Sequence, residues 1–495
     1  MIFLHNKLEP QLGHPIGALA QKRILILDGA MGAMIQAYKT PSGDPLAEND
    51  FRGERFKDHP LPLKGCTDLL CLTAPHIVSG VHEAYLKAGA DIIETCTFNA
   101  TALSLSGYGL EGLPYEISAA AARLARKAAD AFSTEAKPRF VAGSIGPTAK
   151  SASIAPDLDD PAKRAVTWDE LEAAYYDNAR GLLDGGADIF LIETVFDTLN
   201  AKAAVFAIRR LSRERELELP VIVSATVSDN GGRLLSGQSV EAFCVSVLHA
   251  NPLALGLNCS FGAEKLKAYI TALSAAAPCM VSAYPNAGFP NHLGVYEQSP
   301  EDMADQMEEY MREGLVNIVG GCCGSPPAHI AAIAARAEKY PPRPVPAPSQ
   351  KTLLAGLDIL ELNPQNIREN AETSSFQQGE FNRLLNDKDY DGAVDLVREA
   401  VEEGDTLIYV FINCDAVPDG KTAISCFLNL ALQYPDIARL PVQLGSDKWE
   451  VIEAGLKCLQ GKGVISGASL RIFADAESEL ARLRAIAEAY GAVIV

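Results

Sequence analysis

Eight short β-rich runs, separated by Ala/Leu-rich helical stretches, fill the first 340 residues of this chain. They are ILILDG (24–29), DIIETCTF (91–98), RFVAGSIGP (139–147), DIFLIET (188–194), PVIVSATV (220–227), PLALGLNCS (252–260), CMVSAYPNAG (279–288) and VNIVGGCCG (316–324). Strands that are apolar along their whole length are buried on both faces, and intervening helices are the crossovers a parallel sheet requires. Eight such units over this length favour a closed (β/α)8 TIM barrel over an open doubly wound sheet.

The segment YPPRPVPAPSQK carries five prolines and reads as an extended linker over 341–352. It divides the chain into a barrel, 1–340, and a smaller α/β domain, 353–495. A hydrophobic content of 48% with 21% charged residues is globular composition. The net charge of −20 argues against a nucleic-acid or anionic-membrane surface. No apolar run reaches membrane-spanning length, and the apolar opening MIFL is too short for a secretion signal. Eleven cysteines without a disulfide framework are expected to be reduced, which places the protein in the cytoplasm.

Asp28, Glu94, Glu193, Thr226, Cys259, Asn286, Cys322 and Cys323 all fall at the C-terminal ends of these strands. In a barrel those ends form one rim, where active sites are built. Three thiolates converging there, Cys259 from GLNCSFGA and Cys322 and Cys323 from VNIVGGCCGS, suit Zn²⁺ with a fourth position open. The flanking glycines let the backbone turn adjacent cysteines toward one ion. Three other readings stay open on the residues alone. The cysteines are small buried hydrophobes, the glycine-rich turn is a phosphate cradle, or one cysteine is a nucleophile, for which no strand-end histidine is at hand. Glu94 and Glu193 read either as capping or salt-bridging acids or as an acid/base pair. Asp28 stands in an Asp-Gly turn signal.

The segments LDGAMGAM, FRGERFKDHPLPLKGCTDLL, GADIIETCTFNATA, GLLDGGADIFLIETVFDTLNAKAA, GLNCSFGA, YPNAGFPN and GLVNIVGGCCGS carry a resemblance. Nearly throughout its length the first domain resembles the homocysteine-binding module of cobalamin-dependent methionine synthase, within the homocysteine S-methyltransferase family. The resemblance implies that Cys259, Cys322 and Cys323 hold zinc, and that Asn286 lies near the metal and gives way to substrate. It also implies that Asp28 and Glu193 hold the amino acid, with Glu94 beside them. The chemistry is consistent: the thiolate is the nucleophile, a free thiol is mostly protonated at neutral pH, and a bound metal removes that proton.

After the linker, ILELNPQN (359–366), LIYVFINCDA (407–416), PVQLGSD (441–447), GVISGASL (463–470) and AVIV (492–495) again alternate with helices. The segments NDKDYDGAVDLVREAVEEG and WEVIEAGLKCLQGKG resemble the pterin-binding domain that follows in methionine synthase. The site departs from that pattern. Phe411, Gly445 and Ser466 stand where the family places Asp, Asp and Asn, while Asn413 and Asp415 remain. The expectation is a degenerate, incomplete TIM-barrel-like domain that does not bind methyltetrahydrofolate. Its open sheet edge would be covered by a partner or a second copy of the chain.

The expected function is zinc-dependent methylation of homocysteine. The donor is a methyl-corrinoid protein acting in trans, so that cobalamin enters only through that partner, or a betaine-like compound. The rival is a non-catalytic homocysteine- or methionine-binding or docking subunit.

Overall fold

The computed structural model describes residues 11–157, 159–228, 231–292, 294–347, 349, 351–362, 377–467 and 476–495. The eight expected strands form one parallel sheet: β1 (Leu25–Ile26), β2 (Ile92–Glu94), β3 (Phe140–Ile145), β4 (Ile189–Val195), β5 (Val221–Ala225), β6 (Ala254–Gly262), β7 (Met280–Asn286) and β8 (Ile318–Val319). The ring closes on both sides of β1. Leu25 registers with Ile318 of β8, and Leu27 bridges Ile92 of β2 in parallel. The result is a (β/α)8 barrel.

Strand alternation splits the core into two layers. Leu25, Ile92, Phe140, Ala142, Ile189, Leu191, Ile222 and Ile318 fill the barrel interior, where Ile16 and Ala20 of helix Pro15–Ala20 join them. The residues between, such as Val141, Phe190 and Ile192, face the helical shell. This is why the strands read as continuous apolar runs, since both faces are buried.

Three polar residues that open strands tie the ring at its base. The helices before β2, β4 and β8 are followed by Gly89, Gly186 and Gly314, all at positive φ, which reverse the chain. Asp91 then accepts from the Ile26 amide and pairs with Arg23, Asp188 accepts from the Val141 amide and pairs with Arg126, and Asn317 accepts from the Val281 amide. Each buried strand-end amide thereby finds a partner it would otherwise lack.

The proline-rich segment is extended, and it is docked. Arg343 is buried, and its guanidinium donates to the carbonyls of Ser274, Ala277 and Cys279.

The second domain corrects part of the sequence expectation. The run beginning at Ile359 is not a strand of the parallel sheet. As β10 (Ile359–Leu362) it pairs antiparallel with β9 (Thr352–Ala355). The three residues between these strands leave no room for the helical crossover that a parallel pair requires. Residues 363–376 and 468–475 lie outside the described residues. The parallel sheet is β11 (Ile408–Ile412), β12 (Val442–Ser446), β13 (Val464–Ile465) and β14 (Val493–Ile494), in that order. The edge of β11 does not await another chain. Gln378 and Asn382, one turn apart on helix Gln378–Asn386, act as a substitute strand. The Gln378 amide group donates to Tyr409 O and accepts from Phe411 N, and that of Asn382 donates to Phe411 O and accepts from Asn413 N. The opposite edge of the sheet is β14.

The sheet domain is fastened to the barrel. Lys202 is buried and donates to the carbonyls of Leu459 and Gly461. Gln238 donates to Gly356 O, Arg233 pairs with Asp358, and the rings of Trp168, Phe206 and Tyr490 pack together. Among the described residues, no helix is long and apolar enough to cross a membrane.

Candidate metal centre

The end of β6 is distorted, and the distortion aims a cysteine. Between Asn258 and Gly262 its register to β7 slips, and Cys259 and Ser260 take successive left-handed conformations, φ 61° and 57°. For residues other than glycine each costs ~1–3 kcal/mol, so the surroundings must impose them. Asn258 is the anchor. Its side-chain Oδ1 accepts from Thr194 N and Ser224 Oγ, and its Nδ2 donates to Thr194 Oγ1. The Ser260 and Thr226 hydroxyls bond to each other beyond it.

The turn after β8 brings the other two. Cys322 N donates to Pro285 O, Cys323 N to the Asn286 side-chain oxygen, and Ala287 N to Cys323 O. The loop is thus stitched to the end of β7, and Asn286 is the stitch. Gly321 lies against Ser325, where a Cβ would come within 2.2 Å of the hydroxyl, and Gly324 turns at φ +77°. With both cysteine amides engaged, this loop is a poor phosphate cradle.

The sulfurs of Cys259, Cys322 and Cys323 lie within 4.8 Å of one another, and those of Cys259 and Cys323 are 3.8 Å apart. Two sulfurs at the usual ~2.3 Å from one tetrahedral zinc also stand ~3.8 Å apart. The charge balance points the same way. Hydrogen bonds from Cys259 and Cys322 bring the Cys323 thiol down to about 3. Cys322 is pushed well up by its bonds to Cys259 and Cys323. Cys259, which Cys322 lowers but Cys323 and burial raise, stands at about 11. Three thiolates this close repel one another, and a cation between them would relieve that repulsion. The donor set fits zinc.

Near the sulfurs lie three carboxyls, Asp28 and Glu193 buried and Glu94 half-buried. Burial pushes Asp28 well above the usual carboxylate range, and the neighbouring Glu193 adds to it. Glu94 is raised by burial and by both other acids. Burial brings Glu193 up to about 7, against the hydrogen bond it accepts from Ser144 Oγ. One Asp28 oxygen accepts from Glu94 N, while the other is buried without a partner among the described residues. All the sequence-predicted residues thus reach one rim: the cysteines form one cluster, the acids another, and Asn286 braces the first.

Ser144 and Asn258 were not singled out in the sequence, although a lone polar residue inside an apolar strand run is a readable signal for both. Tyr296, whose side chain packs against Gly324 beside Cys323, had no such signal. It lies in the loop beyond β7.

Residues 25–337 match the family model described as homocysteine S-methyltransferase. Two solved structures of the homocysteine methyltransferase MmuM from Escherichia coli are similar to this chain. The metallated form is 26% identical, covering 64% of this chain and 98% of its own, with a TM-score of 0.48. The oxidized form is 23% identical, covering 66% and 100%, with a TM-score of 0.50.

Proposed function

The chain belongs to the homocysteine S-methyltransferase family, and from that premise we propose that it methylates homocysteine to methionine at a zinc ion held by Cys259, Cys322 and Cys323. The observation that carries the reading is the cluster of three sulfurs, with those of Cys259 and Cys323 3.8 Å apart, near the buried Asp28 and Glu193. Zinc held by these three cysteines would supply a Lewis acid that favours the thiolate form of the substrate sulfur at neutral pH.

The residues of the chain do the rest. Asp28, Glu94 and Glu193 receive the substrate's ammonium group, which supplies the positive charge their burial lacks. Ser144 holds Glu193 in place for that contact. Asn286 keeps the Cys322–Cys323 turn against β7. The strained Cys259–Ser260 link directs the Cys259 sulfur inward at no cost in motion when substrate arrives.

For the methyl donor, a corrinoid protein acting in trans is favoured over a betaine-like compound. Phe289 and Val295, in the loop that follows β7, are 58% and 52% exposed and offer apolar surface suited to a macromolecular donor. Cobalamin would enter only on that partner. The sheet domain, 353–495, is read as a pterin-type scaffold without a working site, so methyltetrahydrofolate is not a ligand. A purely homocysteine-binding subunit has no need of a thiol-activating cluster. The test is methionine formation by the zinc-loaded protein with homocysteine and each donor in turn. Turnover with a methyl-corrinoid protein supports the reading, and turnover only with an onium compound overturns the donor assignment.

A further inference from the structure

Two strand ends on the rim are irregular in the same way. The pairing of β4 with β5 passes from Ile192–Val223 directly to Val195–Ala225, and that of β6 with β7 passes from Asn258–Tyr284 to Gly262–Asn286. Each slip leaves extra residue on one strand, and such bulges re-aim the side chains beside them. Left-handed residues mark both places, Thr194 at φ 55° on β4, and Cys259 and Ser260 on β6. One buried side chain joins the two bulges. Asn258 Oδ1 accepts from Thr194 N at 3.1 Å, and Asn258 Nδ2 donates to Thr194 Oγ1 at 2.8 Å. On the strand between, Ser224 Oγ donates to the same Oδ1 at 2.7 Å. The Asn258 amide group thus reaches across β5 and brackets Thr194. Glu193 and Cys259 each adjoin one member of that bonded pair, and Ser144 holds the Glu193 carboxyl as well.

We propose that Asn258 is a positioning residue that sets the reach between the Glu193 carboxyl and the Cys259 sulfur, and so selects a thiol amino acid of homocysteine's length. The inference rests on the zinc reading above. On that reading the substrate is held at both ends, by its ammonium group at the acids and by its sulfur at the metal. Cysteine is one methylene shorter and does not satisfy both ends of a fixed span. Loosening the bracket lets the span yield, and the shorter thiol gains.

Thiol titrations of the Co²⁺-substituted protein, read at the sulfur-to-metal charge-transfer band, give the affinities for homocysteine and for cysteine without any methyl donor. Wild type should favour homocysteine by roughly 10-fold or more, the scale of one methylene in a fitted site. Thr194→Val removes the hydroxyl that Asn258 holds and should lower that ratio about five-fold, the scale of one hydrogen bond. Asn258→Ala should lower it further. Thr194→Ser keeps the hydroxyl and should keep the ratio. A merely structural role lowers the thermal midpoint or weakens both thiols alike, and leaves the ratio unmoved. An unchanged ratio in Thr194→Val overturns the proposal, whether or not Asn258→Ala folds. Wild type that takes neither thiol to the metal overturns the zinc reading, and this inference falls with it.

Discussion

The two parallel sheets of this molecule end in rims of the same design, with opposite use of their polar groups. On the barrel rim, groups that bind are left unspent. Among the described residues, one Asp28 oxygen is buried without a partner, Glu94 has no side-chain hydrogen bond, and three sulfurs stand within 4.8 Å of one another. On the rim of β11–β14, the chain satisfies itself. Asn413 accepts from the Asp415 amide, Asp447 accepts from the Cys414 amide, and Asn382 takes up Phe411 O and Asn413 N. The Phe411 ring lies over Gly445, where a Cβ would come within 2.6 Å of it. Buried polar groups normally find partners within the protein. A rim that keeps them unpaired bears a cost that a ligand removes, and a rim that pairs them has no such need.

This contrast can be broken most severely at the sulfurs. Cys259→Ser and Cys322→Ser should each lose the metal and all methionine formation, measured by elemental analysis and turnover. Asp415→Ala on the other rim should change neither. Full metal occupancy in both serine variants would erase the distinction between the rims.

The second-largest effect concerns the silent rim. Each missing hydrogen-bond partner of a buried polar ring costs about 1–3 kcal/mol. Three such losses, at Phe411, Gly445 and Ser466, should put methyltetrahydrofolate several orders of magnitude below useful affinity. Equilibrium titration should detect no micromolar binding. Micromolar binding that Asp415→Ala abolishes would show that the sheet domain keeps a working site.

A smaller change separates the acids from the sulfurs. Glu193→Gln should weaken homocysteine roughly 10- to 100-fold, the scale of one charged hydrogen bond, with metal content unchanged. Calorimetric titration and metal analysis read the two quantities separately. Loss of metal would make Glu193 part of the sulfur cluster's support.

The smallest effect is a pH dependence. Glu193 stands at about 7 in the fold, above the ordinary value of 4.5. Between those values the folded protein binds more protons than the unfolded chain, so stability falls as pH rises through that window and levels off above it. Denaturant midpoints of the metal-free protein should show this decline, and Glu193→Gln should flatten it. An unchanged slope in the variant would assign the decline to other groups.

Legibility differed between the rims for the same physical reason that their use did. Long-period features survive translation into sequence, since a strand buried on both faces must be apolar throughout and strand-end residues of a barrel must share a rim. Asp28, Glu94, Glu193, Asn286 and the three cysteines were therefore readable as one group. Local pairings are not periodic. The exchange of hydrogen bonds between Gln378, Asn382 and the edge of β11 depends on a helix lying against that edge, and β10 turned back on β9 where its composition suggested a parallel strand.

The sequence alone determined the barrel, its rim and the residue types available there, because burial on both faces of eight strands permits little else. Tertiary structure alone decided that the Cys259 and Cys323 sulfurs stand 3.8 Å apart. It also decided that Asn258 holds two left-handed residues in place, and that Tyr296 returns along a hairpin to pack on Gly324. Those are distances between residues tens of positions apart. They follow from how the strands, loops and hairpin pack together, and packing leaves no pattern along the chain.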